Sequence, residues 1–342
     1  MKAVALTRYL PISDPQSLID VEIEAPAPGP RDLLVRVKAI AVNPLDTKIR
    51  VSKKPEEPCP RVLGWDAAGV VEAVGSEVSL FKPGDEVYYA GSVTRPGANS
   101  ELHAVDERIV GHKPKSLDFA QAAALPLTTI TAWEGLFDRL GISPRGEHAG
   151  RSVLILGGAG GVGSIAIQLA KQVGKQVVVA TASRPSSVQW CKELGADHVL
   201  DHTGDLVAQL RAPALKSGLK WVDTILCCNS LDAHFPAIVE MLGPQGKVCS
   251  IVEHQKELPL NLLRPKCGTF VWEAMFARSN YETPDMIEQH RLLTEAARLI
   301  DAGVLKTTLG EVLGTINAVN LKRAHAMLEA GHTVGKLVLA GF

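Results

Sequence analysis

Metal-binding and disulfide spacings are the patterns this chain most clearly lacks. Its six cysteines (Cys59, Cys191, Cys227, Cys228, Cys249 and Cys267) contain no C-x-x-C pair, and none lies between Cys59 and Cys191. That excludes zinc-ribbon spacing and a thioredoxin-type redox pair. Several sit in apolar runs such as Ile225-Leu226-Cys227-Cys228, where reduced thiols behave as small hydrophobes. No apolar stretch reaches membrane-spanning length. The N-terminus, Met1 to Arg8, shows neither a long apolar core nor a small-residue cleavage site, so a cytosolic protein is expected. Basic runs are absent as well, and a formal net charge of −1 offers no surface for nucleic acid or an anionic membrane. No internal repeat or low-complexity linker is present. One absence is local: no Asp or Glu occurs between Gly163 and Glu193.

What is there is an ordinary globular composition, 46% hydrophobic and 21% charged over 342 residues, with room for two domains. The most informative stretch is Leu154-Ile155-Leu156-Gly157-Gly158-Ala159-Gly160-Gly161-Val162-Gly163, followed by the amphipathic run Ser164 to Lys171. It reads as strand, glycine turn and helix, with Gly158, Gly160 and Gly163 in G-x-G-x-x-G spacing. Such glycines serve a tight turn, close approach of a pyrophosphate and close helix-to-strand packing. Gly161 and Val162 open the helix, whose free N–H groups and partial positive charge face the phosphates. A second strand, Gln176 to Thr181, completes the unit. It ends in Ser183 and Arg184 with no carboxylate to hold a ribose 2′-hydroxyl. A hydroxyl and a guanidinium suit a 2′-phosphate instead, so NADPH is the expected cofactor.

The first third is β-rich, with alternation over Leu33–Val42 and short strands over Gly69–Gly75 and Gly84–Tyr89. A helical turn follows Pro44, one helix starts at Asp118, and another spans Thr128 to Leu140. From Val153 strands and helices alternate. Strands are expected at 153–156, 176–181, 198–200, 221–227 and 246–251, with helices starting near Gly161, Ser186, Asp205 and Leu231. That alternation predicts an α/β fold, a Rossmann-type doubly wound parallel sheet. Thr269–Trp272 is a candidate last strand, whose bulky apolar residues make either an exposed edge that pairs with a second subunit, giving the expected homodimer, or a purely internal edge strand. Two helices, Pro284–Ala302 and Ala318–Glu329, and a strand near Gly335–Leu339 close the chain.

This order of parts resembles the medium-chain dehydrogenase/reductase superfamily over essentially the whole chain, and most of all its zinc-free quinone oxidoreductase branch related to ζ-crystallin. The residues that carry the resemblance are Ala41-Val42-Asn43-Pro44-Leu45-Asp46, Gly64-Trp65-Asp66-Ala67-Ala68-Gly69-Val70-Val71, Lys82-Pro83-Gly84-Asp85-Glu86-Val87, Ala124-Leu125-Pro126-Leu127-Thr128-Thr129 and the glycine loop. It implies a GroES-like β-rich catalytic domain into which the dinucleotide domain is inserted, divided as residues 1–126, 127–268 and 269–342. Zinc alcohol dehydrogenases carry a cysteine where this chain has Asn43 and Gly-His-Glu where it has Gly64-Trp65-Asp66, so the resemblance implies no metal. Without a Lewis acid, the expected substrate spreads its own developing charge, as a quinone or an α,β-unsaturated carbonyl does.

Matching of motif positions gives the remaining candidates, each with a structural alternative. Asn43 is expected to touch the nicotinamide ribose or the substrate oxygen, or to be an Asn-Pro turn. Lys48 is a charge stabiliser or proton source, or a solvated helix-face lysine. Tyr89, or its neighbour Tyr88, borders the pocket or is core. Thr128 and Thr129 line the nicotinamide end or cap a helix. Asn229 lies at the carboxyl edge of the sheet, where cofactors bind; His202 flanks the adenosine or is a loop histidine. Met275 and Phe276 are an apolar wall or core, and the loops Val51–Pro60 and Val252–Thr269 shape the pocket. The leading expectation is an NADPH-dependent quinone or enone reductase. A metal-using carbonyl reductase or alcohol dehydrogenase, and a catalytically quiet NADPH-binding protein, remain its rivals.

Overall fold

The computed structural model describes residues 1–52, 60–213 and 218–342. The chain forms two compact units, Met1–Leu127 with Phe276–Phe342, and Thr128–Met275. Cys59 and most of the loop Val51–Pro60 lie outside the described residues.

The first unit is built on strands. β1 (Lys2–Leu6), β2 (Ile19–Glu22), β3 (Asp32–Ala41), β4 (Arg61–Val62), β5 (Ala67–Val74), β6 (Glu86–Tyr89), β7 (Leu102–Asp106) and β8 (Val110–His112) come from its N-terminal part. Among the described residues β2-β1-β4 form a small antiparallel sheet. The larger sheet is centred on β3, whose ten residues alternate toward a buried face as the sequence pattern requires. β3 pairs antiparallel with both β5 and β7.

The second unit contributes β9 (Ser152–Leu156), β10 (Val177–Thr181), β11 (His198–Leu200), β12 (Val222–Cys227), β13 (Leu242–Ser250) and β14 (Thr269–Trp272). Every pairing in this sheet is parallel, in the order β11-β10-β9-β12-β13-β14. β9 is central and buried throughout, which explains its unbroken apolar run. The strand order reverses between β9 and β12, so the carboxyl ends of these strands open the crevice at which such sheets bind ligands.

β15 (Leu309–Val312) and β16 (Lys336–Ala340) complete the first unit; β16 pairs antiparallel with β3, placing Val338 opposite Ala41. The return comes later than residue 269. Thr269–Trp272 hydrogen-bonds in register to Lys247–Ser250, so β14 belongs to the parallel sheet and the chain leaves that unit only after Met275. The helix expected over Thr128–Leu140 begins at Pro126 and widens after Trp133 into a π-helical stretch, Glu134–Arg139. Thr128 and Thr129 therefore lie inside the first turn rather than capping it. Among the described residues no helix is long and apolar enough to cross a membrane.

The glycines of the loop divide their work differently from the simple motif. Gly157, not Gly158, takes the left-handed conformation, with φ of +83°. A Cβ on Gly158 would meet Ala180 Cβ at 2.9 Å, and one on Gly163 would meet the Gly157 carbonyl at 2.2 Å. At Gly160 it would meet only that carbonyl, at 3.5 Å, an ordinary contact. Packing thus forbids a side chain at Gly163 but leaves Gly160 free of protein. We expect Gly163→Ala to cost about 1–3 kcal/mol, as overpacking does, while Gly160→Ala leaves the thermal midpoint nearly unchanged; paired melting curves check this.

Candidate functional site

The second unit supplies a dinucleotide cradle. The Gly157 N–H donates to Thr181 Oγ1 at 3.0 Å and the Gly158 N–H to the Thr181 carbonyl at 3.0 Å, pinning the turn to the end of β10. Ser164 Oγ donates to the Gly160 carbonyl at 2.7 Å and accepts from Trp190 Nε1 at 2.8 Å. The helix Gly161–Gln168 begins at Gly160, whose backbone is extended. Gly160, Gly161 and Val162 are half-buried and Gly163 is buried. The Asn229 side chain stands over Gly157, 3.1 Å from where a Cβ would be. Ser183 and Arg184 are half-buried just past β10, and Arg184 occupies the N-cap of the helix Pro185–Glu193. His202 is half-buried in the loop after β11. Thr181 and Gly157 were not singled out from the sequence, although a hydroxyl at a strand end facing a glycine turn is the usable signal.

Thr128 and Thr129 are buried, 2% and 1% exposed, and Thr129 Oγ1 has no hydrogen-bond partner. A shielded hydroxyl left unpaired by the protein costs free energy, and a bound amide can recover it. Met275 is buried and Phe276 half-buried. Cys191, Cys227 and Cys249 are free buried thiols whose burial pushes each pKa up to about 12, so they are inert packing groups.

The first unit holds a buried charge cluster. Asn43 caps the helix Pro44–Arg50 from an extended backbone, and Pro44 starts it without needing an N–H. The Asn43 amide donates to Asp66 Oδ2 at 2.9 Å and to the Trp65 carbonyl at 3.4 Å. Lys336 Nζ donates to Asn43 Oδ1, to the Val42 carbonyl at 3.1 Å and to Asp66 Oδ2 at 2.8 Å. Asp66 Oδ1 accepts from the Leu127 N–H at 2.7 Å. Asp66 is wholly buried, Asn43 1% exposed and Lys336 3% exposed. Burial raises the Asp66 pKa, and the Lys336 charge opposes that shift. Asp46 Oδ2 accepts from the Asn43 N–H at 2.6 Å, while its Oδ1 is buried without a partner. Burial pushes the Asp46 carboxyl up to about 7 against the pull of that N–H and of Lys336. The helix itself is held by Arg50, which is fully buried and bonds Leu10 O, His325 Nδ1 and Glu329.

Two sequence expectations change here. Both N–H bonds of the Asn43 amide are spent inside this cluster, so Asn43 has none to give a substrate oxygen; it is a positioning residue. Tyr89 has no exposed surface, its hydroxyl lies 3.1 Å from His103 Nδ1, and its ring stacks on that imidazole. Burial drives its pKa well upward, so Tyr89 is core rather than a pocket donor. Tyr88 is likewise buried and donates to the Leu293 carbonyl. Lys48 is exposed. Lys336 was legible only as a strand residue.

A zinc ion does not fit this donor set. The Trp65 indole has no lone pair to offer, and its N–H donates to the Ser92 carbonyl at 2.9 Å. Asn43 and Asp66 are saturated by an ammonium that would repel a second cation. Among the described residues no cluster of three His, Cys, Asp or Glu is placed to hold a metal.

The alcohol dehydrogenase GroES-like domain family matches residues 29–126, and the zinc-binding dehydrogenase family matches residues 194–339. Over 340 residues, 99% of either chain, the protein is 42% identical to a zinc-type alcohol dehydrogenase-like protein of Staphylococcus aureus. It therefore belongs to the medium-chain dehydrogenase/reductase superfamily and is an oxidoreductase of that type. A solved structure, the Escherichia coli quinone oxidoreductase complexed with NADPH, superposes with a TM-score of 0.82 at 27% identity, covering 99% of this chain and 100% of that one. Over 188 residues, 52% of this chain and 47% of the relative, it is 46% identical to the chloroplastic NADPH-dependent alkenal/one oxidoreductase of Arabidopsis thaliana. Its place in the superfamily is the quinone oxidoreductase-like branch.

The Lys336–Asp66 pair gives a direct test of the cluster. Removing one partner of a buried ion pair typically costs about 3–5 kcal/mol. We expect Lys336→Met to lose stability on that scale in urea unfolding, and Lys48→Met, on an exposed lysine, to stay within about 0.5 kcal/mol of the parent.

Proposed function

We propose that this protein is an NADPH-dependent, zinc-independent reductase of quinones or α,β-unsaturated carbonyls. The observation that carries the reading is the saturated Asn43–Lys336–Asp66 cluster, with Trp65 beside it, at the positions where the alcohol-oxidising relatives would need metal ligands. A saturated ketone concentrates the arriving charge on one oxygen, and a Lewis acid is the usual means of bearing it. A conjugated acceptor delocalises the same charge into an enolate or phenolate, for which a few fixed donors suffice.

In this reading NADPH, when bound, supplies a hydride. The loop Gly157–Gly163 and the helix after it hold the pyrophosphate, with Gly160 providing the bare backbone against which it lies. Ser183 and Arg184 hold the 2′-phosphate, and Asn229 and His202 flank the adenosine half. Thr129, and Thr128 beside it, receive the nicotinamide end, where the unpaired Thr129 hydroxyl finds its partner. Asn43 caps the helix Pro44–Arg50, which leaves Lys48 exposed to solvent. The proton that completes the reduction comes from water.

Steady-state oxidation of NADPH against a conjugated enal, an enone and a quinone, each beside its saturated or non-quinoid counterpart, checks the proposal. We expect conjugated acceptors to turn over at least about 100-fold faster, the scale of one lost oxyanion stabiliser. Equal rates on saturated ketones would favour the alcohol dehydrogenase rival, and no turnover with any acceptor would favour the quiet binding protein.

We also propose that two copies pair through β14. It borders β13 on one side, and on the other, among the described residues, it has no strand. Trp272 is 44% exposed there, stacked against His254. An apolar edge of this kind is a template for a second strand. Sedimentation should show a dimer that Trp272→Glu converts to monomer; a monomeric parent protein would refute it.

A further inference from the structure

We infer that His202 and His234 form a protonatable clamp for the adenosine 2′-phosphate, so that discrimination in favour of the phosphorylated cofactor strengthens when the pair takes up a proton. This rests on the NADPH reading and adds to it a second imidazole and a proton linkage.

The placement comes from the sheet. β10 and β11 are parallel neighbours in register, with Thr181 opposite Leu200. Ser183 and His202 each lie two residues past those paired ends, so the two loops leave the same edge side by side. His234 lies in the first turn of the helix Leu231–Met241, and its ring centroid is 6.5 Å from that of His202, at 73°. Neither ring is tied down. His103, His254 and His290 bond to backbone carbonyls. Among the described residues, by contrast, no side-chain hydrogen bond holds His202 or His234, and His202 Nδ1 is shielded from water without a partner. Two half-buried imidazoles in edge contact, one with a shielded and unpartnered nitrogen, form an incomplete polar site, and an anion completes it.

The surrounding charges define what the site takes. Asp201, next to His202, commits its carboxylate to the Thr203 N–H and hydroxyl. Asp205 caps the following helix through the Val207 and Ala208 N–H groups, and Asp232 accepts from Gln255 and Lys256. These bonds orient the carboxylates without removing their charge, and the Asp201 carboxylate lies within electrostatic reach of His202. The basic groups nearby are the His202–His234 pair and Arg184. Burial and the nearby His202 hold the His234 pKa below its ordinary value, so His234 resists protonation until an anion lies beside it. A phosphate dianion beside it favours the imidazolium. The bound pKa is then higher than the free one. Affinity for the phosphate is complete below the free pKa and falls as pH rises through the bound pKa.

The test uses the full-length protein with 2′,5′-ADP and 5′-AMP as probes, titrated calorimetrically from pH 6 to pH 8 in buffers of different ionisation enthalpy. We expect 2′,5′-ADP to bind with uptake of up to one proton near pH 7, and its advantage over 5′-AMP to shrink by up to about tenfold per pH unit at the steepest point. His202→Gln and His234→Gln should each reduce the uptake and flatten the ratio; the probe's own phosphate ionisation is common to all three proteins. A 2′,5′-ADP advantage with no proton uptake, unchanged in both variants, would overturn the clamp while leaving the NADPH reading intact. No advantage over 5′-AMP at any pH would overturn both.

Discussion

The buried pair of Lys336 and Asp66, with Asn43 between them, is the constraint from which the first unit's chemistry follows. Its members come from the last strand, from the segment before β5 and from the N-cap of the helix Pro44–Arg50. Desolvating an ammonium and a carboxylate together is costly unless their remaining hydrogen-bonding capacity is used. Here it is used: the three bonds of the Lys336 ammonium go to Asn43, Val42 and Asp66, and Asp66 receives three donors in all. The cost is offset only when the C-terminal strand is docked on β3, so the same interaction that closes the fold also fixes the polarity of the site.

Asp46 sits beside the pair with one oxygen unpaired, and burial pushes its pKa up to about 7. The paired Asn43, Lys336 and Asp66 offer no donor set that suits zinc. Under the proposed reading, the charge of reduction is borne by the substrate's own conjugation, and alignment falls to the dinucleotide cradle in the second unit. There the pieces are rigid for local reasons: Thr181 pins Gly157, Ser164 and Trp190 brace Gly160, and Gly163 admits no side chain.

Much of this was legible in the sequence where the pattern is local. The parallel sheet followed from the alternation after Val153, and the cradle from glycine spacing between a strand and a helix. β14 appeared as a last strand, but the domain return was placed too early, because an apolar tetrapeptide does not say which sheet it joins. Tyr89 was misassigned for a related reason. Alternation separates Tyr88 from Tyr89, yet both faces of β6 turned out to be covered, one by Leu293 and the other by His103. Asn43 was singled out as a special position, but its hydrogen bonding depends on Lys336, 293 residues away, and no local rule predicts that pairing. Asp66 stood out in the sequence only as a departure from Gly-His-Glu; in the structure its partner is the Lys336 ammonium.

The most direct test is a zinc titration of the chelator-treated full-length protein, read by competition with a chromophoric chelator and followed by assay of NADPH-dependent reduction of a conjugated acceptor. The account predicts no stoichiometric high-affinity zinc binding and full activity in the metal-depleted protein. Tight binding of one zinc per chain, with activity restored only on its return, would contradict it.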